Sequence, residues 1–157
     1  MDSKIEKRDI LIVNYQELSK LPPVLNLIEI LVKNHFSVSV ITIDSNSISE
    51  KFRDDNILFY YLSKKKENHP VDFILTKRKI RALVKEQMEH HRVIWTTTDI
   101  TVREIGKLLF QYAHIMQLME LVEDLPYFPG QKLFMCNLEK YAKKAKEQWG
   151  HTTEYKE

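Results

Sequence analysis

The strongest constraint on this chain is the run Asp9-Ile10-Leu11-Ile12-Val13-Asn14-Tyr15, followed after a short polar link by Leu21-Pro22-Pro23-Val24. Four successive branched aliphatics without polar alternation describe a strand covered on both faces, as strands of parallel sheets are. Pro22 and Pro23 suit the first turn of a helix, where a missing amide has no partner to lose. Val24, Leu25, Leu27, Ile28, Leu31 and Val32 then recur at helical spacing up to Asn34, which can close the helix.

Further along, Phe36 to Asp44 and Ile57 to Leu62 read as β-rich strands joined by Ser-, Asn- and Asp-rich links. An amphipathic helix is expected from about Phe73 to His91, with Ile80, Leu83, Val84, Gln87 and Met88 on one side. Its outer face carries Lys77, Arg78, Lys79 and Arg81. Such charges are ordinarily solvated, although they also suit a peripheral contact with an anionic membrane. Arg92 to Trp95 forms a short strand, Ile100 to Phe110 a helix that Asp99 can cap, and Tyr112 to Leu121 another central strand. Lys132 to Trp149 completes the series with a one-sided helix. The alternation predicts a Rossmann-like three-layer α/β/α domain with a mostly parallel sheet over residues 9–149. Residues 1–8 are expected to form a flexible start and 150–157 a fraying tail.

Composition removes several functions. The chain has three glycines, Gly106, Gly130 and Gly150, so its first hundred residues contain none. A glycine-rich dinucleotide turn, a P-loop and a methyltransferase loop each need backbone where a Cβ would clash, and are excluded. Asp44 stands where a ribose-binding acid would follow such a turn, but without the turn it is a strand end. The single cysteine, Cys136, allows no internal disulfide and no cysteine-based zinc cluster, and reads as core filler. His90 and His91 are adjacent and diverge on a helix, so no metal is assigned. A net charge of +2 from 24 basic and 22 acidic residues offers no general field for nucleic acid. No apolar run approaches the roughly eighteen residues of a membrane span, and the expected location is cytoplasmic, with the inner membrane face as the alternative.

Ligands of such sheets bind at the carboxyl ends of the strands. Those ends are the segments from Asn14 to Leu21, from Asp44 to Asn46, from Thr96 to Asp99, and from Glu120 to Asp124. Asn14, Tyr15, Gln16, Thr97 and Thr98 are therefore the candidate binding residues. Asp99 and Glu120 are the candidate catalytic acids; a helix cap and a solvated strand-end acid are their structural alternatives. His114 reads as a core or strand histidine.

These segments, Asp9-Ile-Leu-Ile-Val-Asn-Tyr with Leu-Pro-Pro-Val-Leu-Asn-Leu-Ile-Glu-Ile-Leu, Phe36-Ser-Val-Ser-Val-Ile-Thr, Val93-Ile-Trp-Thr-Thr-Thr-Asp and His114-Ile-Met-Gln-Leu-Met-Glu-Leu, resemble the amino-terminal domain of GT-B glycosyltransferases, most closely the retaining group. The resemblance implies two facing Rossmann-like domains, the first holding the acceptor and the second the nucleotide-sugar donor. It implies that this chain carries the acceptor side of a transferase acting in cell-surface polysaccharide or glycolipid synthesis, and that the 157-residue chain alone is inactive. The implied partners are a saccharide or lipid-linked acceptor and a donor-binding domain or subunit, with no cofactor in this chain. The sequence departs from the many members that have a glycine-rich loop after the first strand, having Gln16-Glu17-Leu18-Ser19-Lys20 there. Where those enzymes often place a histidine after the fifth strand, it has Met119 and Glu120. An inverting route would need an acid such as Asp99 or Glu120 to take the acceptor proton, whereas a retaining route asks no dedicated base of this domain. The alternative is a non-catalytic α/β protein-interaction module or one subunit of a split transferase.

Overall fold

The computed structural model describes residues 7–43, 52, 56–62, 70–117, 140–141 and 143–145. Five strands, β1 (Arg8–Asn14), β2 (Val38–Thr42), β3 (Ile57–Tyr61), β4 (His91–Thr96) and β5 (His114–Met116), form one sheet in the order β3-β2-β1-β4-β5. Every neighbouring pair is parallel. Helix α1 (Pro22–Lys33) covers one face, and α2 (Pro70–Met88) with α3 (Asp99–Ile105) covers the other. The fold is thus the α/β, Rossmann-like, three-layer arrangement expected, without a glycine-rich loop after β1.

β1 is the centre of this sheet because its residues are apolar in both directions. Ile10 and Ile12 point into a cluster with Leu18, Val24, Ile28, Leu31, Val38, Val40 and Ile57. Leu11 and Val13 point the opposite way, into Ile41, Ile80, Val84, Met88, Ile94, Val102, Ile105 and Leu109. The period of two in side-chain direction converts one unbroken apolar run into two cores. Ile12 faces Val40 across one ladder and Trp95 across the other, so the strand has no edge. At its amino end, the Asp9 carboxylate accepts hydrogen bonds from the backbone amide and hydroxyl of Ser37, at 2.9 and 2.8 Å. Those bonds hold Asp9 below the usual carboxylate range and fix where β2 begins.

Several boundaries depart from the sequence-based expectations for identifiable reasons. β1 starts at Arg8, whose amide donates to His90 O and whose guanidinium donates to Val38 O at 2.9 Å and to Asn56 O. α2 starts earlier and ends earlier than the pattern implies, and Ile80, Val84, Gln87 and Met88 are buried in it. The helix expected from Ile100 to Phe110 divides at Gly106, whose φ of +64° terminates α3; a 3₁₀ segment, Gly106–Gln111, continues from there. Glycine alone adopts that conformation without a Cβ penalty. The strand expected from Tyr112 to Leu121 is not central among the described residues, and 118–121 lie outside them. Its described part, β5, is three residues long and lies at the sheet edge against β4. Lys140, Tyr141 and residues 143–145 are helical, with Tyr141 and Ala145 buried. Asp44, Glu120, Glu123, Asp124 and Cys136 lie outside the described residues.

Ile12 is fully buried at the centre of the first cluster. Ile12→Ala should lower unfolding free energy by about 2–5 kcal/mol, measured by urea denaturation, with the larger values if helix α1 cannot settle into the void.

Candidate functional site

The chain runs from β1 outward through β2 to β3, and α2 then returns it to the other side of β1 as β4. Strand order therefore reverses between β1 and β4. The connections leave in opposite directions there, which makes the carboxyl ends of the two strands the crevice position at which open α/β sheets bind ligands. Asn14, Tyr15 and Gln16 leave β1 at this point, and Thr96, Thr97 and Thr98 leave β4. The fold brings together all five residues expected to bind, from segments more than eighty positions apart.

Hydrogen bonds tie the two exits to one another. The Thr97 hydroxyl donates to Asn14 Oδ1 at 2.9 Å. Its contact with Val13 O is 3.4 Å, and with one proton to give, the hydroxyl spends it on the shorter partner. Asn14 Nδ2 donates to Gln16 O at 2.8 Å, and that carbonyl also accepts from the Thr42 hydroxyl at 3.1 Å, which draws the β2 exit into the network. The Tyr15 amide donates to Thr101 Oγ1 at 2.9 Å. Asn14, Thr42, Thr96, Thr97, Thr98 and Thr101 are all buried, so this network fixes the loop after β1 without glycine.

Thr98, rather than Asp99, caps α3. Its backbone is extended, and its hydroxyl accepts from the Thr101 amide at 3.2 Å. Asp99 is the first helical residue, where its charge complements the helix dipole. Its Oδ2 lies 2.7 Å from Arg103 Nη2, one turn on. Tyr15 is half-buried, its ring packed against the cluster under α2 and α3. The side-chain amide of Gln16 makes no hydrogen bond among the described residues and is half-exposed, so it can turn both a donor and an acceptor toward a ligand.

Sequence reasoning missed Thr42, Thr101 and Gln117 as members of this end of the sheet, whereas His114, read as a core or strand histidine, is buried at the start of β5. His114 Nε2 lies 2.8 Å from Thr96 Oγ1, and burial pushes the ring pKa down to about 4. The imidazole is therefore neutral at pH 7. Gln117 donates its amide to Thr96 O, while its Oε1 is buried without a hydrogen bond. Only parallel pairing places these residues together. The one sequence signal was the recurrence of Thr and Asn at strand ends. Among the described residues no three of His, Cys, Asp and Glu converge as a metal site, and no helix is long and apolar enough to cross a membrane.

No protein-family model matches the chain, and no curated protein matches it in sequence. Among solved structures, two of the C-terminal domain of a hydrogenase from Pyrococcus furiosus are similar, with TM-scores of 0.52 and 0.51. They are 9% and 8% identical to this chain, over 73% and 75% of its length and 93% and 96% of theirs. The likeness is one of α/β fold.

His114 is 3% exposed, and its pKa in the folded state lies below the ordinary histidine value of 6.5. The unfolded chain thus takes up the proton first on acidification. The stabilisation is full above pH 6.5 and lost progressively down to about pH 4, a change on the order of 3 kcal/mol. Urea midpoints measured across that range should fall more steeply for the wild type than for His114→Gln.

Proposed function

We propose that this chain is the acceptor-side domain of a GT-B glycosyltransferase, holding a saccharide or lipid-linked acceptor in the β1/β4 crevice. The observation that carries the reading is the chemistry of that crevice. The half-exposed side-chain amide of Gln16 both donates and accepts, as sugar hydroxyls do, and the buried, hydrogen-bonded Asn14, Thr97 and Thr98 hold the loop that presents it. A nucleotide diphosphate would instead call for a glycine-rich turn or free cations at the loop after β1, where this chain has Gln16-Glu17-Leu18-Ser19-Lys20 and Lys20 is paired with Glu17 at 2.6 Å. The fold alone is shared by many activities, so the argument rests on these side chains.

Asp99 supports the reading in an altered role. Paired with Arg103, its carboxylate is better suited to orienting an acceptor hydroxyl than to removing its proton, which fits a retaining route. The donor site would then lie in a second domain or subunit facing the strand exits. Ile74 and Leu75 in the early turns of α2 and Ile100 in the first turn of α3 stand toward that same edge, 53%, 46% and 37% exposed. Apolar side chains beside a polar crevice fit a face that another domain covers.

The test is amide chemical-shift mapping with a panel of neutral oligosaccharides and, separately, nucleotide sugars. A saccharide should shift Tyr15, Gln16 and the amides from Thr97 to Ile100, and Gln16→Ala should weaken its binding by about tenfold. A crevice that responds to nucleotide sugars, or to no saccharide, would remove the acceptor reading. When a donor-binding domain is supplied, Asp99→Asn should lower turnover mainly through the acceptor KM; loss confined to kcat would restore Asp99 as the base.

A further inference from the structure

A second concave site lies away from the strand exits, on the outer side of the α2 and α3 layer. It is a groove of about 610 Å³ between α2, α3, the 3₁₀ segment Gly106–Gln111 and Tyr141. Five of its lining side chains are cationic: Lys77, Arg81, Lys85, Arg103 and Lys107. Among the described residues, two acids are paired with these cations. Glu104 Oε2 lies 4.0 Å from Lys77 Nζ, and Asp99 is held by Arg103. Lys85 and Lys107 form no ion pair among the described residues and are exposed.

The groove is built, not merely lined by surface charge. Arg81 donates through Nε to Glu104 O at 2.9 Å, which fixes the plane of its guanidinium over the end of α3. That position exists because residue 106 is glycine. A Cβ there would stand 2.7 Å from Arg81 Nη2, closer than side-chain contacts allow, and φ at this position is +64°. The chain thus breaks α3 with a residue that also makes room for an oriented cation. Tyr141 closes the groove at one side, with its hydroxyl 3.8 Å from the same point. Gathering five cations on three packed elements, α2, α3 and the 3₁₀ segment, costs repulsion, which a multiply charged anion in the groove would relieve.

We propose that this groove binds a phosphate-bearing anion. A fixed guanidinium offers paired donors in a plane, matching phosphate oxygens, while Lys85 and Lys107 add mobile point charges at the rim. The volume exceeds that of one phosphate and admits a diphosphate or a phosphate ester with part of its alcohol. The groove shares no lining residue with the β1/β4 crevice and touches it only through Arg103, which is paired with Asp99, so its pyrophosphate test does not depend on the acceptor reading.

Titration with inorganic pyrophosphate, followed by amide shifts, should move Arg103, Gly106 and Lys107 saturably. The double variant Lys85→Gln/Lys107→Gln removes two exposed charges and should weaken binding by at least about tenfold. Lys33→Gln, which removes an exposed charge on the opposite face of the sheet, should leave it unchanged. Sedimentation with phosphatidylglycerol vesicles, against phosphatidylcholine vesicles, distinguishes the source. Capture that depends on Lys85 and Lys107 identifies a lipid headgroup, and pyrophosphate binding without capture identifies a free phosphate compound. Binding of neither probe, or binding that the double variant leaves undiminished, would overturn the proposal.

Discussion

Everything in this fold depends on β1 being apolar on both sides. Ile10 and Ile12 supply one core and Leu11 and Val13 the other, so the helices of the two layers are held to each other through one strand. A strand covered on both faces must also satisfy its backbone on both edges, and β2 and β4 do so. Placing β1 in the middle puts its exit beside that of β4, where the chain reverses its winding. The same burial that stabilises the domain thereby sets the crevice position.

The crevice is preorganised by polar side chains where related architectures use glycine. A glycine-rich turn brings backbone amides to a ligand by conformational freedom. Here Asn14, Thr42, Thr97, Thr98 and Thr101 hold an ordinary backbone in place through side-chain hydrogen bonds. Such a network leaves few groups over for a ligand, chiefly the amide of Gln16, and makes the rest of the crevice rigid. Affinity from such a site is modest unless a second surface completes it.

The fold was legible because its signals are local. The unbroken apolar run at β1, the prolines opening α1 and the β-branched residues of β2 each stated their element directly. What the sequence hid is what depends on neighbours distant in the chain. The run around His114 looks central by hydrophobicity, yet among the described residues β5 pairs only with β4 and is three residues long. Asp99 looked like a cap, but the hydroxyl of Thr98 reaches the orphan amide first and leaves the carboxylate to Arg103. Among the site residues, Asn14, Gln16, Thr97 and Thr98 could be read from strand ends alone. Thr42, Thr101 and Gln117 could not, since only pairing brings them to the same edge. The groove beside Gly106 was foreshadowed by the basic stretch of α2, though nothing in that stretch marked Arg81 as the residue that a glycine makes room for.

The parallel pairing of β1 also bears on how the protein is made. Asn14 and Thr97, which close the crevice, are 83 positions apart. At usual translation rates the second emerges roughly 4–17 s after the first. Throughout that interval the central strand has left the ribosome without its β4 partner, and none of the described strands can shelter it as a hairpin, since every described pair is parallel. Helix α1, next in line and amphipathic, is the earliest element able to cover one of its faces. Until α2 and β4 arrive, the nascent strand can be covered only by α1 on one face and by β2 along one edge, so its second face and second edge wait for the later half of the chain.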